Sequence, residues 1–266
     1  MKKMIKIVPY DKNWPIIFEN EAEKIKNLLK ENFVDIHHVG STSVPGLCAK
    51  PQIDIFCVVK DLKRAIKALT EAGFTYKGEY NLPLRLFFSK KTPNDLNLHV
   101  ATADSGELAW QITFRNFLRK NKEARDLYAK TKLDLVNDNP QGFNVKANKF
   151  SDYTVKKGDV IRKISKMANF NGTRFLIANN EYEIEDFKKL LPNVNINPND
   201  QNEFSLCIYS GTKCVCAALL IFDYENKIAK IEFISETEPK YQNIMIDKIK
   251  AFTEFHDLKL KNSEII

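Results

Sequence analysis

The sequence predicts an α/β protein in which a mixed sheet flanked by helices is followed by a smaller α/β domain. Apolar runs of strand length alternate with segments whose apolar residues recur at helical spacing. The run Ile53–Val59 is nearly all apolar, so it should be a strand buried on both faces. A short polar joint, Asn169–Gly172, divides the chain, and we expect domains at residues 1–168 and 173–266.

The elements of the first domain follow from periodicity and from capping residues. Apolar side chains repeat at helical spacing after Pro15, Asp61 is suited to cap a helix, and Gly73 is suited to end it. In chain order we predict extended Ile5–Val8, helix Pro15–Asn32, strand Val34–Val39, a helical turn within Ser43–Cys48, strand Ile53–Val59, a helix from Asp61 to Ala72, strands Phe74–Tyr80, Leu84–Ser89 and Leu96–Thr102, and helices Glu107–Asn121, Lys122–Val136 and Tyr153–Met167.

The second domain is predicted to run strand, helix, three strands, helix and strand. The tripeptide Ser210-Gly211-Thr212 is typical of a hairpin turn between two of these strands. The predicted elements are Arg174–Ala178, Glu183–Leu191, Phe204–Tyr209, Cys214–Phe222, Lys227–Ile234, Tyr241–His256 and Leu258–Leu260.

Composition indicates a soluble protein with an anionic partner. The chain of 266 residues is 44% hydrophobic and 28% charged, which is enough for a core and a solvated surface. No run of about 18 apolar residues and no signal peptide is found, so we expect a cytoplasmic protein without membrane contact. The net charge of +7 favours nucleotides or phosphates. Because the excess is scattered lysine, nucleic acid is not expected to be the partner.

The five cysteines are not arranged for a metal site or a disulfide framework. None forms a Cys-x-x-Cys pair, and Cys57 and Cys207 have apolar neighbours. Cys214 and Cys216 alternate around Val215, as core residues on one face of a strand do. We therefore expect reduced, partly buried thiols.

The residues most indicative of chemistry lie in the run His38–Leu47 and in the strand that follows it. Gly40, Ser41, Thr42 and Ser43 offer backbone N–H groups and hydroxyls to phosphate oxygens. Asp54, inside the next apolar run, can carry a divalent cation that bridges such oxygens. The alternative is a strand-turn-helix connection whose glycines serve turns and whose Ser43 caps a helix.

The string HVGSTSVPGL followed by KPQIDI resembles the GrpB family, which belongs to the nucleotidyltransferase superfamily. The resemblance covers about 165 residues and implies a nucleotidyltransferase-like mixed sheet flanked by helices. It also implies that Gly40-Ser41 is the superfamily's Gly-Ser pair and that Asp54 is the second aspartate of its Asp-x-Asp. Gln52 stands where the first aspartate is expected. Two-metal phosphoryl transfer requires several carboxylates, so this departure bears on the mechanism.

Other motifs of the first domain resemble the same family. Arg85-Leu86-Phe87-Phe88 is similar to its Arg-x-Phe-Phe, and Leu98-His99-Val100 to its His-x-His-Val with Asn97 at the first histidine. Phe114–Arg119 is similar to its Phe-Arg-Asp-Tyr-Leu-Arg, and Tyr153 with Lys157 to its Tyr-x-x-x-Lys.

The site implied by the resemblance has two groups of residues. Asp54 and His99 are expected to be catalytic and to bind a divalent metal, Mg²⁺ or Mn²⁺. The residues expected to bind phosphate or nucleotide are Gly40, Ser41, Thr42, Ser43, Lys50, Arg85, Arg115 and Lys157. For His99 the alternative is a hydrogen-bonded strand histidine, for Arg85 an exposed strand residue, and for Arg115 and Lys157 a solvated helix face.

The second domain resembles a short GCN5-related N-acetyltransferase in its element order, in Gly211 and in Pro239-Lys240-Tyr241 at the start of the long helix. The family's pyrophosphate loop is glycine-rich, whereas Gln242–Asp247 has no glycine and ends in a carboxylate. We therefore expect weak or no acetyl-CoA binding and a role in packing or in a homodimer formed through this domain. An unrelated α+β domain is the alternative.

Three hypotheses for function remain open. The first is a nucleotidyltransferase-like enzyme that binds a nucleotide or phosphorylated small molecule together with a divalent metal. The second is a ligand-binding or regulatory module whose active site has degenerated, as Gln52 suggests. The third is an acyl-CoA-dependent N-acetyltransferase in the second domain, with the first domain as a sensor.

Overall fold

A computed structural model describes residues 2–144, 151–197 and 200–261, and these form two units. The first unit comprises the described residues up to Tyr80 and those from Arg85 to Phe170. The second comprises Asn81–Leu84 and the described residues from Asn171 onward. The polar joint predicted from sequence lies at the point where the chain passes into the second unit.

The first unit contains the predicted alternation of strands and helices. Its elements are β1 (Lys2–Lys3), α1 (Trp14–Leu29), β2 (Phe33–Val39), β3 (Ile53–Val59), α2 (Leu62–Glu71), β4 (Thr75–Tyr76), β5 (Leu86–Lys90), β6 (Leu96–Ala101), α3 (Gly106–Lys120), α4 (Lys122–Asn137), β7 (Phe143–Asn144), α5 (Asp152–Val155) and α6 (Gly158–Met167). Short 3-10 turns cover Lys30–Asn32 and Ser41–Ser43.

The central sheet of the first unit has the strand order β2-β3-β6-β5-β4. β3 and β6 are parallel and the other pairs are antiparallel, so the sheet is mixed as predicted. Asp54 lies opposite Asn97, and His99 lies opposite Phe87. Because paired residues and their second neighbours along a strand share a face, the register brings these polar side chains together.

Apolar packing fixes both the sheet and the loop that follows β2. All of β3 except Asp54 is buried, which confirms that the run is buried on both faces. In the loop, Val44 and Leu47 have no exposed surface and pack with Leu118 of α3 and Ala124 of α4. Burial of side chains of this size contributes about 1.5 to 3 kcal/mol each, so the loop is held by its own apolar residues.

Some predicted elements differ from those observed. The segment Ile5–Val8 is not a strand, although Val8 forms a bridge with Ala49. The predicted strand Phe74–Tyr80 is confined to β4. The predicted helix Tyr153–Met167 is divided into α5 and α6 at Lys156-Lys157. Glycine is a weak helix former, and Gly158 follows this break directly.

The second unit has the element order predicted from sequence. It contains β8 (Thr173–Ile177), α7 (Glu181–Leu190), β9 (Glu203–Ser210), β10 (Lys213–Asp223), β11 (Ile228–Glu236), α8 (Pro239–Phe255) and β12 (Lys259–Leu260). The strand order is β12-β11-β10-β9-β8, and only the β11–β12 pair among these is parallel. α8 contributes to one apolar cluster and α7 to another, each with residues of the sheet. The similarity to acetyltransferases stays a prediction.

Two further sequence expectations concern thiols and membranes. The five cysteines are free, and Cys48 alone among them is not buried. Among the described residues, the helices are too short or too polar for any of them to cross a bilayer.

We predict that Phe252→Ala lowers the free energy of unfolding by about 3 to 5 kcal/mol, because it removes a buried aromatic ring from the core of the second unit. Phe252 is 2% exposed and its ring lies 5.2 Å from that of Phe222. Denaturant unfolding of the full chain is the measurement. The matched control is Phe233→Ala, whose side chain is 46% exposed and whose loss should cost less than about 1 kcal/mol. Equal losses for the two variants would contradict this account of the core.

Candidate functional site

A cavity of about 620 Å³ lies in the first unit beside Asp54. Its wall combines residues of the Gly-Ser loop, the sheet, α4 and the segment before α6. The cationic lining residues are Lys3, Lys50, Lys77, Arg85, Lys91, Lys132 and Lys157. Among the described lining residues, Asp54 is the one carboxylate. The cavity wall is therefore strongly positive.

Gly40 allows the loop to approach Asp54. Its φ of +69° is favourable only for glycine, and a Cβ at this position would lie 2.8 Å from Cγ of Asp54. Beyond Gly40 the chain forms the 3-10 turn, in which the Ser43 hydroxyl donates to the Gly40 carbonyl at 2.6 Å. Ser43 thus stabilises the turn internally. It does not line the cavity, in contrast to Ser41 and Thr42.

Two arginines of α3 hold the loop through its carbonyl groups. Nη1 of Arg115 donates to the carbonyl oxygen of His38 at 2.8 Å. Arg119 donates from Nε and Nη2 to the carbonyl oxygen of Ser43 at 2.9 and 2.7 Å. Neither arginine lines the cavity. The expectation that Arg115 contacts phosphate stays a prediction, although its Nη1 is engaged with a backbone carbonyl.

Polar side chains form a row across the sheet, with a hydrogen bond at each of its two ends. Nδ2 of Asn97 donates to Oδ1 of Asp54 at 2.7 Å. Nε2 of His99 lies 4.0 Å from the same oxygen, and Nη1 of Arg85 lies 2.6 Å from Nδ1 of His99. A guanidinium can only donate, so Nδ1 is the acceptor and the proton of the neutral ring is on Nε2, facing Asp54. Asp54 and His99 thus lie within one site, as the sequence predicts.

Burial determines the protonation of this row. It lowers the pKa of His99 well below its ordinary value, and the Arg85 charge acts in the same direction. His99 is therefore neutral at physiological pH and presents an N–H group to Asp54. Burial also raises the pKa of Asp54, although the bond from Asn97 and the charges of Lys50 and Lys157 oppose this.

The donor set is too small for a pair of bound metals. Among the described residues, no three His, Cys, Asp or Glu side chains are grouped so that they could hold a metal ion. With Arg85 bonded to Nδ1 and the proton on Nε2, His99 has no lone pair for a metal. Mg²⁺ is commonly bound by one or two carboxylates together with substrate phosphates, so Asp54 fits a cation that a phosphate ligand helps to hold. The metal expected at Asp54 and His99 stays a prediction.

Three lysines with lowered pKa values, of which Lys132 is buried and Lys50 and Lys157 are half-buried, distinguish this cavity from an ordinary basic surface. Burial lowers the pKa of Lys50 to about 8 and that of Lys157 to about 8. Both ammonium groups lie over the Tyr153 ring, at 4.9 and 4.7 Å from its centre. Burial lowers the pKa of Lys132 to about 7. The charged forms of Lys50 and Lys157 are destabilised, and an anion beside them would reverse this.

Lys132 was missed by sequence reasoning. It is 2% exposed, and its Nζ donates to Oγ of Ser41 at 3.2 Å and to the carbonyl oxygen of Cys48. Its position on α4 is the feature that could have identified it. Ala124, Tyr128 and Lys132 follow one another at intervals of four residues, and all three are buried. A lysine on the apolar face of a helix requires a specific partner.

Gln52 has a bond that a carboxylate in its place could not form. Its Nε2 donates to Oδ1 of Asp95 at 2.5 Å, and Lys91 donates to both oxygens of Asp95 at 2.7 Å. An aspartate at position 52 would face Asp95 as a like charge. Gln52 therefore fits its neighbours, and its amide replaces the first expected carboxylate with an uncharged group. Asp95 was also missed, although it directly precedes the strand that carries Asn97 and His99.

We predict that Gly40→Ala destabilises the protein more than Gly46→Ala does. Both glycines have positive φ, so alanine at either position costs about 1 to 2 kcal/mol in backbone strain. Only at Gly40 would the new methyl group meet Asp54, which adds roughly 1 to 3 kcal/mol, whereas nothing lies within 4 Å of a Cβ at Gly46. Denaturant unfolding measures both. Equal destabilisation would show that the approach to Asp54 is not constrained.

Comparisons with known proteins concern the region that forms the first unit. The UPF0157 protein BH1888 of Halalkalibacterium halodurans is 34% identical over 168 residues, which is 62% of this chain and 83% of that protein. The crystal structure of the conserved protein GrpB from Enterococcus faecalis has 31% identity and a TM-score of 0.53, and covers 61% of this chain and 96% of that one.

The structure of Cid1 in complex with a UTP analogue gives 14% identity and a TM-score of 0.29, over 48% of this chain and 42% of that one. A similarity of this size is weak and does not bear on function. The family model described as GrpB protein matches residues 4–167. The matched residues include nearly the whole wall of the cavity. By this match the chain belongs to the GrpB family.

Proposed function

We propose that the first unit binds a phosphorylated ligand, a nucleotide above all, in the cavity beside Asp54. The observation that carries the proposal is the charge of the wall, in which lysines and Arg85 face a single described carboxylate. Clefts lined by one sign of charge concentrate ligands of the opposite sign. Lysine and arginine are the usual side chains for phosphate oxygens.

Two half-buried lysines make an anionic ligand the natural occupant. Lys50 and Lys157 repel each other and are poorly solvated, so their protonated forms are costly in the free protein. Phosphate oxygens would supply the missing counter-charge. Ser41 and Thr42 also line the cavity and offer hydroxyl groups to the same oxygens.

Aromatic residues of the wall favour a nucleotide over inorganic phosphate. Tyr80 and Phe87 both line the cavity, with ring centres 5.0 Å apart. Bases stack on rings of this kind, and such stacking contributes about 1 to 3 kcal/mol per base. A cavity with a cationic part and an aromatic part matches the two halves of a nucleotide.

Nucleotidyl transfer is the reaction we propose for this ligand, with Asp54 beside the reacting phosphate. The chemistry of the site limits the mechanism, since the amide of Asn97 is bonded to Asp54 and the amide of Gln52, two positions before Asp54, is bonded to Asp95. These same amides favour the second candidate, a binding or regulatory module that holds the ligand without transferring a group. For an acyltransferase role of the second unit, the element order is a supporting feature, but Gln242–Asp247 lacks the glycines of a pyrophosphate loop.

We predict that nucleoside triphosphate affinity falls as the pH rises from 7.5 to 9. In the free protein Lys50 and Lys157 lose their protons near pH 8, and phosphate binding requires them charged, so binding takes up protons. For each lysine that must be protonated, the affinity should fall roughly tenfold with each pH unit above the pKa of that lysine. Titration calorimetry with ATP, GTP, CTP and UTP at constant salt is the measurement.

Two variants make this test specific. Lys157→Met should weaken binding at pH 7.5 and flatten its pH dependence. Lys130→Met is the control, since Lys130 lies on α4 but pairs with Asp134 at a side-chain exposure of 74%. Absence of nucleotide binding at any pH would refute the proposed function.

We predict opposite effects of Asp54→Asn with and without Mg²⁺. Without metal, the variant should bind ATP several-fold more tightly, because it lacks the carboxylate that repels phosphate. With Mg²⁺ or Mn²⁺, the wild-type protein should gain affinity and the variant should gain none, if Asp54 is a ligand of the cation. Calorimetry with and without EDTA separates the two effects. An equal gain in both proteins would assign Asp54 a structural role against Gly40.

A further inference from the structure

Ser41 and Lys132 form a hydroxyl-amine pair in the cavity wall that ligand binding alone does not require. Both residues line the cavity, and Oγ of Ser41 lies 3.2 Å from Nζ of Lys132. Ser41 starts the 3-10 turn beyond Gly40, and Lys132 reaches it from α4, 91 positions away in sequence. The fold therefore brings an alcohol into hydrogen-bonding contact with a buried amine.

The surroundings of Lys132 fix its amine in place. The Nζ atom also donates to the Cys48 carbonyl and lies 4.7 Å from the centre of the Tyr128 ring. Lys132 is 2% exposed, so little water competes for its contacts. With one N–H directed to Cys48, the nitrogen is oriented to accept the Ser41 proton when the amine is neutral. Burial makes the neutral form accessible, since it lowers the pKa of Lys132 to about 7.

We propose that Ser41 is a nucleophile toward a phosphoanhydride of the bound nucleotide and that Lys132 is its general base. Oγ of Ser41 forms a bond to phosphorus, and the bond from that phosphorus to the bridging anhydride oxygen breaks. The remaining phosphate or polyphosphate leaves with the bonding electron pair, and the hydroxyl proton passes to Nζ of Lys132. The product is a phosphoester on Ser41. This proposal rests on the proposed function, because the nucleoside triphosphate is the co-reactant.

The rest of the wall is suited to this step. A serine hydroxyl is a weak nucleophile unless a base lies within hydrogen-bond reach, and Lys132 meets that condition. Charge that develops on the phosphoryl oxygens and on the leaving group would be met by Lys50, Lys157 and Arg85. The competing interpretation is that Ser41 only binds phosphate and that Lys132 is one more cation.

The experiment incubates the full chain with Mg²⁺ and each of the four nucleoside triphosphates, labelled at the α or the γ phosphate. We expect a covalent label that peptide mass spectrometry locates on Ser41. Label retained from the α position indicates a nucleotidyl-serine, and label from the γ position alone indicates a phosphoserine. Either result supports Ser41 as the nucleophile.

Variants separate the base from a simple cation. Ser41→Ala should abolish the label, and Lys132→Met should slow labelling about 100-fold or more, as expected for loss of a general base. Lys132→Arg keeps the positive charge but not the ability to accept a proton, so it should be as slow as Lys132→Met. Lys130→Met, on the same helix, should label at the wild-type rate. Thermal unfolding confirms that each variant is folded.

Each negative outcome has a distinct meaning. Binding of a nucleotide by calorimetry without any label overturns the nucleophile and leaves the proposed function intact. Absence of binding overturns both. Label that persists in Ser41→Ala overturns Ser41 as the nucleophile, and a wild-type labelling rate in Lys132→Arg overturns Lys132 as the general base.

Discussion

The close contact between Gly40 and the Asp54 carboxylate is the constraint on which the cavity depends. It ties the loop after β2 to the buried strand β3, and only a residue without a side chain permits it. From that contact the backbone enters the 3-10 turn, which presents Ser41 and Thr42 to the cavity. Apolar anchors at Val44 and Leu47 then fix the other end of the loop. The contact at Gly40 and the packing of Val44 and Leu47 together position the polar groups of the loop.

The electrostatics of the site are unusual because the cations of the cavity wall, some of them buried, outnumber the described carboxylates. Lysine is rarely found with little exposure unless it is paired. In this cavity the stabilisation comes instead from aromatic rings and from backbone carbonyls, as at Tyr153 and Cys48. Aromatic rings and backbone carbonyls stabilise an ammonium group less than a carboxylate does, so the pKa values of these lysines are lowered. The GrpB fold of the first unit thus maintains a charge imbalance in the cavity wall.

Sequence alone predicts the parts of the site that depend on local chemistry. The Gly-Ser loop, Asp54 and His99 could be proposed as a site because they lie in short motifs that resemble those of the GrpB family. Lys132 could not be assigned, since its role depends on which helix face covers the loop. The contact of Arg115 with the carbonyl of His38 depends on tertiary packing in the same way. The break at Lys157 and the bond between Gln52 and Asp95 also depend on distant segments.

The arginine contacts of the loop have a consequence for the thermodynamics of recognition. Because Arg115 and Arg119 already grip the carbonyls of His38 and Ser43 in the free protein, the backbone around Ser41 is ordered before any ligand arrives. A ligand that docks there loses little free energy to loop ordering, so more of its contact energy appears as affinity. If the bonds from Arg115 and Arg119 were weakened, the ligand would still contact the same atoms of the loop. Binding would then have to order the loop, and this loss of entropy would lower the affinity.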